Sequence, residues 1–173
     1  ARGITLDLGF SAFIIQIPDW FREKHGDLVS PYDFLQFTLV DCPGHASLMK
    51  TIIGGASIID FMMLIVDGQK LIQTQTAECI VLGEILMDKL IIAMNKVDMF
   101  PDGGVKSPQV QAQMKKLRAR FKHTGFGPYL PIVPVAAAPR GENDSVEEPY
   151  GVEDLINMIL WHIDIPNREV QKN

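Results

Sequence analysis

The sequence predicts an α/β fold, a mostly parallel sheet with helices on both faces. Two continuous apolar runs, DFMMLIVD at 60–67 and KLIIAMN at 89–95, have the character of strands covered on both sides. Helical periods fall between such runs, and strand–helix–strand repetition implies βαβ units with right-handed crossovers. The strands also end on polar or small residues. Asp41, Asp67 and Asn95 each close one, and VAAA (135–138) closes another. In an open parallel sheet ligands bind beyond the carboxyl ends of the strands, so function is expected along that edge.

Taken in order, LGFSAFIIQI (8–17) and LQFTLVD (35–41) are apolar stretches of strand length. The 18–34 stretch between them has two prolines and mixed charge and reads as a surface insertion. Residues 73–88 have a helical period, with Ala77, Ile80, Val81 and Ile85 sharing a face. Val110, Met114, Leu117 and Phe121 recur at helical spacing behind a Ser107-Pro108 start signal. YLPIVPV (129–135) is a weaker strand, because Pro131 and Pro134 bring no ladder donor. Val152, Leu155, Ile156, Ile159, Leu160 and Ile163 draw the cleanest amphipathic helix. Glu153 and Asp154 stand in its first turn, where the helix dipole favours acid. APRGENDSVEEPYG (138–151) is a second surface insertion.

At 173 residues, 47% of them hydrophobic, the chain suffices for one well-packed domain and is short for two. A net charge of −5 gives no general basic footprint for nucleic acid or an anionic membrane, so any nucleic-acid contact is expected to use a local patch or another part of the protein. Cys42 and Cys79 are too few for a disulfide framework, no secretory leader precedes them, and the apolar runs stop short of a membrane span. A reducing, cytoplasmic setting is expected. The chain starts on Ala1 and closes on polar residues, so both ends read as cut from a longer protein. Residues 1–165 are expected to be one domain, and 166–173 a linker toward a following one.

Two loops carry distinctive chemistry. In NKVD (95–98), the Asp98 carboxylate can accept two parallel hydrogen bonds from a planar amidine-like edge. Guanine presents that edge through N1–H and its 2-amino group; adenine does not. Asn95 can tie the loop to a neighbouring segment, and the stem of Lys96 can lie along the ring face. In DCPGH (41–45), Asp41 can hold the water shell of a Mg²⁺. Gly44 lacks a Cβ and lets its N–H approach a terminal phosphate, and His45 can orient a water for in-line attack. RGIT (2–5) offers Thr5 as a further Mg²⁺ ligand, and the small residues of VAAA admit a flat ligand close to backbone. Taken alone, NKVD is equally compatible with an ordinary strand exit, and DCPGH, Thr5 and VAAA each fit ordinary turn chemistry better than a site. His25 and His123 stand in polar stretches and are expected to be solvated. His162, near a helix end, is expected to serve the dipole. No His/Cys cluster has zinc spacing and no nucleophile elbow occurs.

The order RGIT, DCPGH, NKVD, VAAA, with the last three each following an apolar strand, resembles the translational GTPases across nearly the whole chain. RGITLDLGFSAF, TLVDCPGHASLMKTIIGGASIIDFMMLIVD and QTQTAECIVLGEIL look closest to the selenocysteine branch of that family. The resemblance implies a P-loop NTPase-like sheet, GTP hydrolysis, and GTP/GDP with Mg²⁺ as cofactors. It implies that His45 positions the hydrolytic water and that Thr5 and Asp41 serve the metal. Asp41 and Gly44 would belong to a phosphate-sensing loop; Asn95, Lys96 and Asp98 would read guanine, backed by Ala136 and Ala137. Selenocysteyl-tRNA and the ribosome would be partners of the intact, monomeric protein, with no role for membrane or DNA. The family often has a lysine where Ala138 stands here.

One departure is larger. The phosphate-binding pattern G-x-x-x-x-G-K-[ST] occurs nowhere in the 173 residues. The first strand, the phosphate loop and the first helix of such a domain are therefore expected to be absent, leaving a gap in the sheet and exposed apolar side chains. The competing readings are another tRNA-carrying GTPase, of elongation factor Tu or initiation factor γ type, and a nucleotide-free interaction module derived from a GTPase.

Overall fold

The computed structural model describes residues 9–41, 59–101, 104–139 and 147–165. Strand β4 (Leu90–Asn95) is the centre of the fold, and its apolar residues are all buried. Alternation along the strand sends Leu90, Ile92 and Met94 to one face and Ile91 and Ala93 to the other. It pairs in parallel with β3 (Met62–Asp67) on one side and β5 (Ile132–Pro134) on the other. β5 is only three residues long and ends on Pro134, and it lies at the edge of the sheet, where a missing donor is tolerated.

Helices cover both faces of this sheet, as the sequence implies. Helix α2 (Thr74–Leu86) joins β3 to β4, α3 (Pro108–Phe121) joins β4 to β5, and α4 (Val152–His162) follows β5. α3 starts as its sequence indicates. The Ser107 hydroxyl accepts from the Gln109 N–H at 3.2 Å, with Pro108 in the first turn. Its four apolar residues, Val110, Met114, Leu117 and Phe121, pack on the Leu90–Ile92–Met94 face. α4 covers the opposite face, where Ile159 meets Ile91, Ala93 and Val133.

The buried face of α2 differs from expectation. Ile80 is buried, but Ala77, Val81 and Ile85 face outward, and Leu82 and Gly83 are buried in their place. Its apolar residues do not gather on one stripe, so its composition does not choose a face. Gly83 suits the close approach to β3: a Cβ there would lie 2.7 Å from Met62 Sδ, and that side chain would have to give way.

The remaining strands, β1 (Gly9–Gln16) and β2 (Phe34–Asp41), form a separate antiparallel pair running from Gly9↔Asp41 to Gln16↔Phe34. The expected parallel order does not extend to them, because the chain between them folds back on itself. The Ile17 N–H donates to the Asp33 carbonyl at 2.9 Å, closing the excursion at its base. That excursion, the expected surface insertion, has structure of its own. It forms helix α1 (Asp19–His25) and a 3₁₀ turn at Gly26–Leu28, and it buries Phe21 and Val29 against Ile17 and Leu160 of α4. Lys24 Nζ donates to the Trp161 carbonyl at 2.6 Å, and Lys89 Nζ donates to the His162 carbonyl at 3.0 Å and pairs with Asp164. Two cations thus meet carbonyls that the end of α4 leaves open.

His25 is likewise not solvated. Its ring packs 4.2 Å from that of Phe21, and its Nε2 is buried without a hydrogen-bond partner among the described residues. Burial, followed by the neighbouring Lys24 charge, lowers its pKa, with Asp164 acting in the opposite sense. His162 Nδ1 lies 2.9 Å from the Met158 carbonyl, within its own helix.

Candidate functional site

Three loops meet at the carboxyl edge of the parallel sheet. β3 ends on Asp67 and β4 on Asn95, which are register partners, and β5 runs on into Val135, Ala136 and Ala137. Asn95 joins all three. Its Oδ1 accepts from the Lys96 N–H at 2.8 Å and from the Ala137 N–H at 3.1 Å, and its carbonyl accepts from the Gly68 N–H at 2.8 Å. Backbone bonds from Val135 N–H to the Met94 carbonyl (2.9 Å) and from Val97 N–H to the Val135 carbonyl (3.3 Å) lock the same two loops.

Lys96 follows in the left-handed region, with φ of 63°, and a 3₁₀ turn at Val97–Met99 presents Asp98. Among the described residues no hydrogen bond or ion pair engages the Asp98 carboxylate, so both of its oxygens remain available as acceptors. Its charge reaches Tyr150, whose phenol is held above the ordinary range by burial first and then by Asp98 and Glu147. Ala136 is wholly buried and exchanges two backbone hydrogen bonds with Tyr150, at 3.0 and 3.1 Å, whereas Ala137 is exposed. A carboxylate with both oxygens unengaged has the chemistry to accept from a purine edge carrying two adjacent N–H donors.

Asp41 closes β2 and pairs across from Gly9, so it belongs to the hairpin and not to the parallel sheet. Thr5, Gly44 and His45 lie outside the described residues. No group of three His, Cys, Asp or Glu side chains suited to a metal gathers among the described residues, and of the two expected Mg²⁺ ligands only Asp41 is among them.

Several residues that shape this edge were not singled out by sequence. Asp67 was visible as a strand end but was given no task; its carboxylate binds Lys96 Nζ at 3.1 Å. Gly68 permits the contact beneath Asn95, since a Cβ there would sit 3.1 Å from the Asn95 carbonyl. Tyr150 carries no sequence signal, because its partner Ala136 is bonded through backbone alone. Gly151 precedes α4 with φ of 76°, and a Cβ on it would come within 2.3 Å of the Pro134 carbonyl. Gly151→Ala is therefore expected to cost about 3 kcal/mol or more of stability, measured by denaturant unfolding, because strain and a backbone clash coincide.

A parallel sheet with helices on both faces and polar loops gathered at its carboxyl edge is an open α/β domain, with its loops where ligands bind in that class. The family model described as "Elongation factor Tu GTP binding domain" matches residues 1–164, and the chain belongs to that family. It is 46% identical over 169 residues to the selenocysteine-specific elongation factor of Mus musculus, an alignment covering 97% of this chain and 28% of that protein. It is 34% identical over 176 residues to elongation factor 1-alpha of Methanosphaera stadtmanae, covering 98% of this chain and 37% of that protein. Among solved structures it is similar to translation elongation factor SelB of Methanococcus maripaludis in complex with the GTP analogue GPPNHP. The TM-score is 0.64 at 24% identity, over 96% of this chain and 31% of that one, a likeness of fold. The chain thus spans roughly a third or less of each of these relatives.

Proposed function

We propose that the chain is the GTP-binding domain of a translation elongation factor that delivers selenocysteyl-tRNA to the ribosome with GTP hydrolysis, in the cytoplasm and as a monomer. One observation carries the nucleotide reading: Asn95 Oδ1 ties the NKVD loop to Ala137 while Asp98 of that loop is unengaged among the described residues. The branch within the family is supported by the 46% identity to the mouse selenocysteine-specific factor, against 34% to an elongation factor 1-alpha of comparable coverage.

In this reading Asp98 selects guanine over adenine, because adenine would set an acceptor nitrogen against the carboxylate. Ala136 and Ala137 let backbone approach the ring, and Lys96 covers a ring face. Asp41 and Thr5 serve Mg²⁺, which supplies charge neutralisation at the phosphates when bound. Gly44 follows the terminal phosphate and His45 orients the attacking water. The amides and lysine of a phosphate-binding loop are supplied by a part of the longer protein beyond these 173 residues, none of which matches that pattern. Selection of the aminoacyl-tRNA likewise belongs to further domains of the longer protein.

Titrating the full-length protein with fluorescent GDP, GTP and ATP, then profiling the aminoacyl-tRNA retained with GTP, tests both levels. Guanine preference together with enrichment of selenocysteyl-tRNA is the expected result. Guanine preference with ordinary elongator or initiator tRNAs would move the protein to another tRNA-carrying branch, and no nucleotide preference would favour the interaction module.

A further inference from the structure

The turn after β3 and the loop after β4 are bound to one another by three contacts from three successive residues. Gly68 N–H donates to the Asn95 carbonyl at 2.8 Å, Gln69 Nε2 donates to the Met99 carbonyl at 2.9 Å, and Lys96 Nζ meets Asp67 Oδ2 at 3.1 Å. Each of the two segments also holds a non-glycine residue at positive φ, Leu71 at 54° and Lys96 at 63°, the two such residues among those described. Backbone in this region persists where surrounding structure over-determines it, and it clusters at ligand-binding loops.

Asp67 divides its oxygens between two tasks. Oδ1 accepts from the Gln69 N–H at 2.9 Å and the Lys70 N–H at 3.2 Å, which fixes the carboxylate on its own turn. Oδ2 is left for the ammonium of Lys96. Burial works to raise the Asp67 pKa, but the hydrogen bonds from Lys96, Gln69 and Lys70 outweigh it and leave the group below the ordinary carboxylate range. It therefore stays charged at neutral pH. A lysine on a free four-carbon stem would sample many rotamers and lose that freedom when a ligand settled against it. Anchored at both ends, by a left-handed backbone and by Asp67, the stem is held between the loop after β4 and the turn after β3.

We propose that Asp67 is a positioning residue for purine-nucleotide binding, which holds the Lys96 stem in place as the platform for the ring face while Asp98 reads the edge. The proposal rests on the nucleotide reading given above and adds to it a division of labour. Edge recognition depends on base identity; the Lys96 platform does not. Pre-organisation of this kind contributes affinity by removing an ordering cost at binding.

The test uses the full-length protein and the dissociation constants of GDP and IDP, whose base lacks the 2-amino group. Asp67→Asn retains an oxygen for the two turn amides and places an N–H₂ group against the ammonium. It is expected to weaken GDP and IDP binding by the same factor, about fivefold, with the GDP/IDP ratio and the melting temperature unchanged. The loss should vanish in a Lys96→Met background, which keeps the stem and removes the charge. Asp67→Glu, which restores a carboxylate, should recover part of the affinity. A rise of the GDP/IDP ratio of dissociation constants toward one would show that Asp67 merely shapes the Asp98 loop, and an unchanged GDP affinity would show that it contributes nothing; either overturns the proposal. A wild-type protein without guanine preference would instead overturn the nucleotide reading, and this proposal with it.

Discussion

Asp98→Asn in the full-length protein is expected to weaken GDP binding by about two orders of magnitude and to create affinity for xanthosine diphosphate. The carboxylate is acceptor-only and can face two N–H donors in parallel, whereas an amide turns one of those acceptors into a donor. Guanine then meets N–H₂ against N–H₂, and a buried donor is left unmade. Xanthine carries a carbonyl where guanine carries its 2-amino group, so the same amide pairs with it on both sides. The effect is large because the lost bonds are charge-assisted and the mismatch is repulsive as well as empty. Isothermal titration with both nucleotides checks it, and unchanged preference for GDP would remove Asp98 from the base site. Tyr150 provides a control in the nucleotide-free protein. Asp98 is one of the charges that hold its phenol above the ordinary range, so the substitution should shift the phenol's titration downward if the loop remains folded.

What could be read from the amino acids, and what could not, divides along a physical line. β4 was legible because LIIAM is covered on both faces, and a continuous apolar run admits few other environments. α3 and α4 were legible because their apolar residues repeat on one stripe, and Ser107 with Pro108 marks the start of α3. α2 was legible as a helix but not in its orientation. Its apolar residues do not gather on one stripe, and the fit of Gly83 beside Met62 is a tertiary fact that periodicity does not carry. The excursion between β1 and β2 was legible as a surface insertion but not in what seats it. Its charges suggested solvent, yet two apolar residues, Phe21 and Val29, suffice to seat it on α4.

The site follows the same division. Asn95, Lys96 and Asp98 are adjacent in sequence, and their chemistry could be weighed from residue types alone. Asp67 and Tyr150 reach the site through pairing register and backbone hydrogen bonds, which no local pattern encodes. Asp41 shows how far strand-end logic extends. It does close a strand, but that strand belongs to the hairpin, so its place beside the other strand ends is not settled by the parallel register that unites Asp67 with Asn95.

A polypeptide of residues 1–173 alone is expected to be marginally stable and to turn over no measurable GTP. β2 and β3 both send side chains, Phe37 and Met63, onto the core built around Ile91 and Val133, yet the two strands share no ladder among the described residues. Each sheet thus keeps an edge of backbone donors and acceptors that another strand would have to satisfy. Apolar side chains are exposed on elements on both sides of that break: Ile65 of β3 is 61% exposed, Ile85 of α2 73%, and Phe10 and Ile14 of β1 66% and 64%. Net stabilities of domains are a small remainder between large terms, so several uncovered residues of this size are enough to reduce that remainder to near zero. Binding is affected separately. Most of the grip on a nucleoside triphosphate comes from amides and a lysine around its phosphates, and the 173 residues contain no G-x-x-x-x-G-K-[ST] pattern to provide them. The proposed base-reading residues alone would hold guanine nucleotides weakly. A broad low-temperature melting transition, strong binding of a hydrophobic dye, and absence of phosphate release above background are the expected results. Hydrolysis at the rate of the full-length protein would show that residues 1–173 hold the phosphates by themselves, and would refute the assignment of that task to another segment.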